Sequence, residues 1–197
     1  LQTSKTIRTV EYSNGNFAGS IRKHMNVEML AEFIENMVLQ HDYPGFEPRS
    51  LKLGLPEEVN KASAKVFFEA LGHPSVYVKL AALRWFQEKP GLGKGHERAI
   101  AGLLDNSDPW VRREALRTLE RIQTKDEPII LMMTECLKDS DAEVKKGAAK
   151  ALGKVCAKRT KKIDAVIDGL KAVATDSNAE VRWKAEKALR ILGAYDS

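Results

Sequence analysis

The sequence predicts an all-α fold, an α-solenoid of stacked antiparallel helix pairs, and three observations carry the prediction. A twelve-residue motif recurs four times without gaps, as Leu71–Ala82, Leu104–Ala115, Leu137–Ala148 and Ala174–Ala185. Each copy carries a valine (Val78, Val111, Val144, Val181), and these stand 33, 33 and 37 residues apart. Ser75, Asp108, Asp141 and Asn178 precede the valines by three positions, all residue types whose side-chain oxygen caps the free amides of a first helical turn. The wider last interval places a four-residue insertion in the stretch 158–162.

Taken in chain order, residues 1–26 show little apolar periodicity and contain the turn signal Ser13-Asn-Gly-Asn16, which predicts an extended or poorly ordered arm. Residues 27–56 are expected to hold a capping helix and a long connection. Val27, Leu30, Phe33, Ile34, Met37 and Val38 share one helical face, and residues 41–56 contain three prolines with no helical period. Four helix pairs follow, at about 57–94, 95–125, 126–160 and 161–197. Their first helices are expected over 57–71, 97–104, 127–137 and 163–174. Their second helices bury Val78, Ala82, Phe86; Val111, Ala115, Leu119; Val144, Ala148, Leu152; and Val181, Ala185, Leu189. Pro109 sits at a first helical position, where its missing N–H costs nothing, and the alanine in each row permits close helix approach.

The turn signature D-S-D-x-x-V-R/K-x-x-A resembles the HEAT-like repeat family in its short form, similar to the repeats of the phycobilin lyases, over about residues 57–197. The resemblance implies a right-handed superhelix with the second helices lining a concave face. It also implies that a cation one position after each valine pairs with the turn acid of a neighbouring unit. Lys79, Arg112, Lys145 and Arg182 occupy that position, and Asp139 and Asp176 are the matching acids, with His73 and Asn106 in the first two units.

With 43% hydrophobic and 30% charged residues among 197, the chain has the composition of a folded globular protein. Its +5 charge is uneven: residues 1–60 carry 6 basic and 8 acidic side chains, the remainder 26 and 19. A second cationic column, six positions after each valine, is Arg84, Arg117, Lys150 and Lys187. Five residues at about 100° each separate it from the first column by roughly 140°, so the two columns have different jobs. Helical steps extend it into stripes, Arg113, Arg117 and Arg121, then Lys146, Lys150 and Lys154, then Trp183 and Lys187. If the second helices line the concave surface, this ridge is the partner-binding site, and it suits an extended acidic segment or a phosphate backbone. A solvated lysine face is the bland alternative. Trp183 is either a contact residue or inter-repeat packing, and Tyr77 and Trp110 share that ambiguity, whereas Trp85 beside Phe86 reads as core.

No catalytic constellation is evident. No G-x-S-x-G, G-x-G-x-x-G, Walker or zincin motif occurs. His24, His41, His73 and His96 are scattered, so no metal or cofactor is expected. The His96-Glu97 pair is similar to the His-Glu pairs of the HEAT-like di-iron hydroxylase, but that family repeats the pair in several units and this chain has it once. Cys136 and Cys156 fall at apolar helical positions and read as buried small residues in a reducing compartment. Glu114, Glu120 and Glu186 read as partners of the cations. The longest strongly apolar stretch, Ile129–Met133, is far short of the roughly 20 residues that span a bilayer. The expectation is therefore a non-enzymatic, cytoplasmic scaffold binding an acidic segment of a protein partner. The alternatives are nucleic-acid binding through the same ridge, as in the HEAT-like DNA glycosylases, and a subunit of a bilin lyase-like enzyme.

Overall fold

The computed structural model describes residues 25–40, 63–159 and 163–195. The readings made on the arm up to residue 24, on the proline-containing connection and on residues 160–162 of the insertion lie outside these. Every regular element among the described residues is helical. In chain order they are α1 (Val27–Gln40), α2 (Ala64–Leu71), α3 (Val76–Glu88), the single turn α4 (Pro90–Gly93), α5 (Glu97–Ala101), α6 (Pro109–Ile122), α7 (Glu127–Glu135), α8 (Ala142–Cys156), α9 (Asp164–Val173) and α10 (Ala179–Ile191). Two first helices finish in tighter 3-10 turns, Gly102–Asp105 after α5 and Cys136–Lys138 after α7.

The helix starts follow the capping chemistry in three units of four. The Asp108 carboxylate accepts from the amides of Trp110 (2.8 Å) and Val111 (3.3 Å), Asp141 from Val144 (3.0 Å), and Asn178 from Glu180 (2.9 Å) and Val181 (3.2 Å). Ser75, read as the fourth cap, makes no such bond. What all four units share is the tight turn just before. Its polar residue accepts the amide two positions on: Ser75 N–H to His73 Nδ1 (3.2 Å), Asp108 to Asn106 (3.0 Å), Asp141 to Asp139 (2.8 Å) and Asn178 to Asp176 (2.8 Å). Asn178→Ala is accordingly expected to cost about 1 kcal/mol, and Ser75→Ala only a few tenths. Urea unfolding of the two variants side by side checks this.

Helices of each kind stack on their own kind. The second helices α3, α6, α8 and α10 touch in series, the first helices α2, α5, α7 and α9 do the same, and each pair is joined across the layers. Helix α1 lies on both α2 and α3 and buries Leu30, Ala31 and Ile34 against them. The four valine rows are all buried and form one continuous core. The first pair is filled by aromatics: Trp85 stacks on Phe67 at 4.3 Å and meets the edge of Phe86 at 5.2 Å, so Trp85 is core. The short α4 carries no apolar period and was not anticipated. It is held by Gly93, where a Cβ would lie 2.6 Å from Ile122 Cδ1.

Glycine does two opposite things on α8. At Gly147 an added Cβ would meet only Arg113 Cγ at 3.4 Å and Leu116 Cδ1 at 3.6 Å, which is ordinary contact. Gly147→Ala is therefore expected to stabilise the chain by about 0.5–1 kcal/mol, the usual helix-interior difference, seen as a raised urea midpoint. At Gly153 the same Cβ would lie 2.9 Å from Ala188 Cβ and 3.1 Å from Ala188 Cα, so α8 and α10 are in backbone-close contact there. No helix among the described residues is long and apolar enough to cross a membrane.

Candidate functional site

The first cationic column lies along the edge formed by the inter-helix turns. Arg112 donates to both carboxylate oxygens of Asp139 in the next unit, Nε to Oδ2 and Nη2 to Oδ1 at 2.7 Å each, and its Nη1 donates to the carbonyls of Asn106 (2.8 Å) and Ser107 (3.1 Å). Lys145 repeats the contact with Asp176 one unit further on. Arg182 donates to the carbonyls of Asp176 (2.8 Å) and Ser177 (2.9 Å), and Lys79 to that of Pro74 (3.4 Å). Burial opposes the charge on Asp139, but the Arg112 hydrogen bonds, the Asp141 amide and the charges of Arg112 and Lys145 prevail and hold its carboxyl below the usual range. The Asp139 hydrogen bond holds Arg112 above its own usual range. Two of its four cations, Arg112 and Lys145, thus join neighbouring units, and Arg182 and Lys79 brace the turn ahead of their own helix.

The stripes on the outer face of α6, α8 and α10 divide into two groups. Position two after Val111 and after Val144 points toward the following unit, and its cation reaches the acid just ahead of the next valine. Arg113 lies 3.7 Å from Glu143, and Lys146 bridges Glu143 (2.5 Å) and Glu180. Those two hydrogen bonds raise the Lys146 pKa above normal. Further along, the buried carboxylate of Glu120 is held from the next helix by Lys150 (3.4 Å) and Lys154 (2.6 Å). Arg113 and Lys146, read from sequence as ligand contacts, are therefore also inter-repeat connectors, a second ladder that the sequence reading missed. Glu114 is buried between α3 and α6, where Gln87 Nε2 donates to its carboxylate at 2.8 Å and to Thr118 Oγ1 at 3.1 Å.

Arg117 and Arg121 are exposed and form no ion pair among the described residues. Arg84 is half-buried, and burial, opposed by Glu114 and reinforced by Arg117 and Arg113, lowers its pKa. Trp183 is 51% exposed, with Lys184 Nζ 4.5 Å and Lys187 Nζ 5.2 Å from its ring centroid. Lys184 was not singled out from sequence, although its three-residue step to Lys187 puts both on one stripe. Burial chiefly, then Lys150, Lys187 and Lys146, pull its pKa below the usual lysine value. Arg113, Arg117, Lys146, Lys150 and Lys184, with Glu120, Glu143 and Glu180, enclose a groove of about 330 Å³ whose floor is opened by Gly147. Five cations face three carboxylates there, leaving two positive charges in excess.

Trp110 is half-buried with Arg113 over its ring at 4.4 Å. His96 packs against Phe68 and Phe86, 4.8 and 5.4 Å between ring centroids. No group of His, Cys, Asp and Glu fit to hold a metal occurs among the described residues. Burial pushes the Cys136 thiol up to about 12 and raises that of Cys156, and both thiols are free and buried, so neither is a nucleophile at neutral pH. Glu186 pairs with Arg190 at 3.3 Å within α10.

Two stacked layers of helix pairs joined by repeated ion pairs define a helical-repeat scaffold. Residues 97–190 match the family model described as HEAT repeats, which supports a HEAT-like repeat family for that span. The solved structures it is similar to include three engineered proteins crystallised by the Northeast Structural Genomics Consortium. One is 23% identical with a TM-score of 0.56, covering 66% of this chain and 62% of its own. A second is 23% identical with a TM-score of 0.56, covering 71% and 39%. A third is 20% identical with a TM-score of 0.61, covering 90% and 80%. The chain thus spans less than two thirds of the length of the first two, and the likeness is one of fold. A search of the curated proteins returned no match.

Proposed function

We propose that the chain is a non-catalytic scaffold that binds an acidic segment of a partner protein on the exposed face of α6, α8 and α10. The observation that carries this reading is the groove at Gly147, where cations outnumber carboxylates and Arg117 has no ion-pair partner among the described residues. Around it Arg84, Arg121, Lys150, Lys154, Lys187 and the half-exposed Trp183 extend the contact surface, while Arg113 and Lys146 shape its walls. Repeat scaffolds present extended surfaces of this kind, and the basic stripe on this one favours anionic partners.

Nucleic acid is the second reading, favoured by Trp183 between two lysines. It is the weaker one, because Glu143 and Glu180 stand on the same face in the last two repeats and interrupt a continuous phosphate track. The test is anisotropy of a labelled Glu-rich peptide and of a labelled single-stranded oligonucleotide over a salt series. Peptide binding is expected to fall at least about tenfold in Arg117→Glu, Lys150→Glu. Unchanged peptide binding in that variant removes the ridge as the site, and a steep salt slope with the oligonucleotide alone moves the function to nucleic acid.

A further inference from the structure

We infer that the groove floored by Gly147 is a phosphate site, and that the acidic segment it takes carries a phosphomonoester, as on phosphoserine or phosphothreonine. The inference rests on the acidic-segment reading above and sharpens it. Charge is the first argument. The groove walls hold five cations and three carboxylates, but the carboxylates are already spoken for: Lys146 takes Glu143 and Glu180, and Lys150 and Lys154 share Glu120. With Arg113 on Glu114 and Glu143, the groove cations left without an ion pair among the described residues are the Arg117 guanidinium and the Lys184 ammonium. A phosphomonoester brings about −1.5 to −2 charge at pH 7 concentrated on one group, which matches that excess in a way a single carboxylate does not.

Shape is the second argument. Where the corresponding positions of α6 and α10 carry Glu114 and Lys184, α8 has Gly147, and the resulting depression of about 330 Å³ is a pit between two helices and not a track along them. A pit with two arginines, of which Arg117 forms no ion pair among the described residues, and three lysines around it suits a point dianion, the guanidinium giving paired hydrogen bonds and the ammonium a point charge. A phosphodiester backbone needs evenly spaced cations, and here Glu143 and Glu180 alternate with them. Lys184, moreover, is held below its usual pKa by burial and by three other lysines, a penalty that a bound dianion relieves.

The experiment uses the full chain and two nonapeptides of the same Glu-rich sequence with a central serine, one unmodified and one phosphorylated, alongside a single-stranded oligonucleotide. The phosphorylated peptide is expected to bind about tenfold more tightly than the unmodified one. That ratio is expected to collapse toward one in Arg117→Gln, Lys184→Gln, and to survive in Lys138→Gln, an exposed cation after α7 that lies outside the contact surface. Arg117 is exposed and Lys184 half-buried, and a matching thermal melt confirms that the fold is kept. Equal affinity for the two peptides overturns the phosphate site and leaves the acidic-segment reading standing. Absence of binding by either peptide overturns both. A phosphate preference that persists in the double variant overturns the groove as its location, and tighter binding of the oligonucleotide than of the phosphopeptide overturns the choice of partner.

Discussion

Asp139→Ala is expected to lower stability by about 2–3 kcal/mol, toward the lower end of what breaking a buried ion pair costs, because the Arg112 and Asp139 side chains are 14% and 10% exposed. The carboxylate does two things at once. It takes both donors of Arg112 from the preceding unit, and it accepts the Asp141 amide that forms the turn ahead of α8. Alanine removes both and leaves Arg112 with carbonyl partners only. Asp139→Asn separates the two roles, since Asn106 already fills the equivalent turn position one repeat earlier with its amide oxygen. It should therefore cost less than alanine, keeping the turn while losing the charge. The pH dependence follows from the depressed Asp139 pKa. Its contribution is fully present above the ordinary aspartate range and is lost as pH falls through the folded-state value. Urea midpoints measured from neutral pH down to about 3 should show a flatter acid limb for Asp139→Asn than for the parent.

The second large effect is expected at Gly153. Elsewhere inside a helix, glycine to alanine gains up to about 1 kcal/mol. Here the new methyl would collide with the Cα and Cβ of Ala188, and backbone on a packed helix does not move aside as a side-chain tip does. Gly153→Ala should reverse sign to a loss of about 1 kcal/mol, and Gly153→Val should cost about 3 kcal/mol. Adding Ala188→Gly should recover part of the alanine loss, a coupling that a double-mutant cycle reads directly. Emission of the half-exposed Trp183 reports whether α10 detaches before the rest. A stabilised Gly153→Ala would mean that the two helices stand further apart than described.

The Arg112 and Lys145 connections to Asp139 and Asp176 were implied by the family resemblance, whereas the repeat register and the second-helix core rows were legible in the sequence itself for one reason. Each depends on residues that recur at a fixed offset from the valine, and a fixed offset in a repeat fixes position in space. What was not legible depends on how each helix is rotated against the next. Arg113 and Lys146 lie on the same stripe as Arg117 and Lys150, and composition cannot tell a cation that reaches the next helix from one that faces water. Glu120 is held by lysines 30 and 34 residues away, a pairing set by helix crossing alone. The groove depends on one missing side chain, Gly147, which reads in sequence as an unremarkable weak point of a helix. Lys184 escaped because its neighbours in the groove come from a different repeat.

The packing of each helix pair against its immediate neighbours has a mechanical consequence. The turn-edge and outer-face connections, Arg112 to Asp139, Lys145 to Asp176, Arg113 to Glu143 and Lys146 to Glu180, each join one repeat to the next. Pulled from its two ends, such a stack carries the load in series, so every joint feels the same force and the weakest yields first. Each unit that gives way would pay out about 110 Å of chain, from some 33 residues at nearly full extension. The remaining joints stay closed, and the molecule acts as a line of latches that lengthens in even steps under tension.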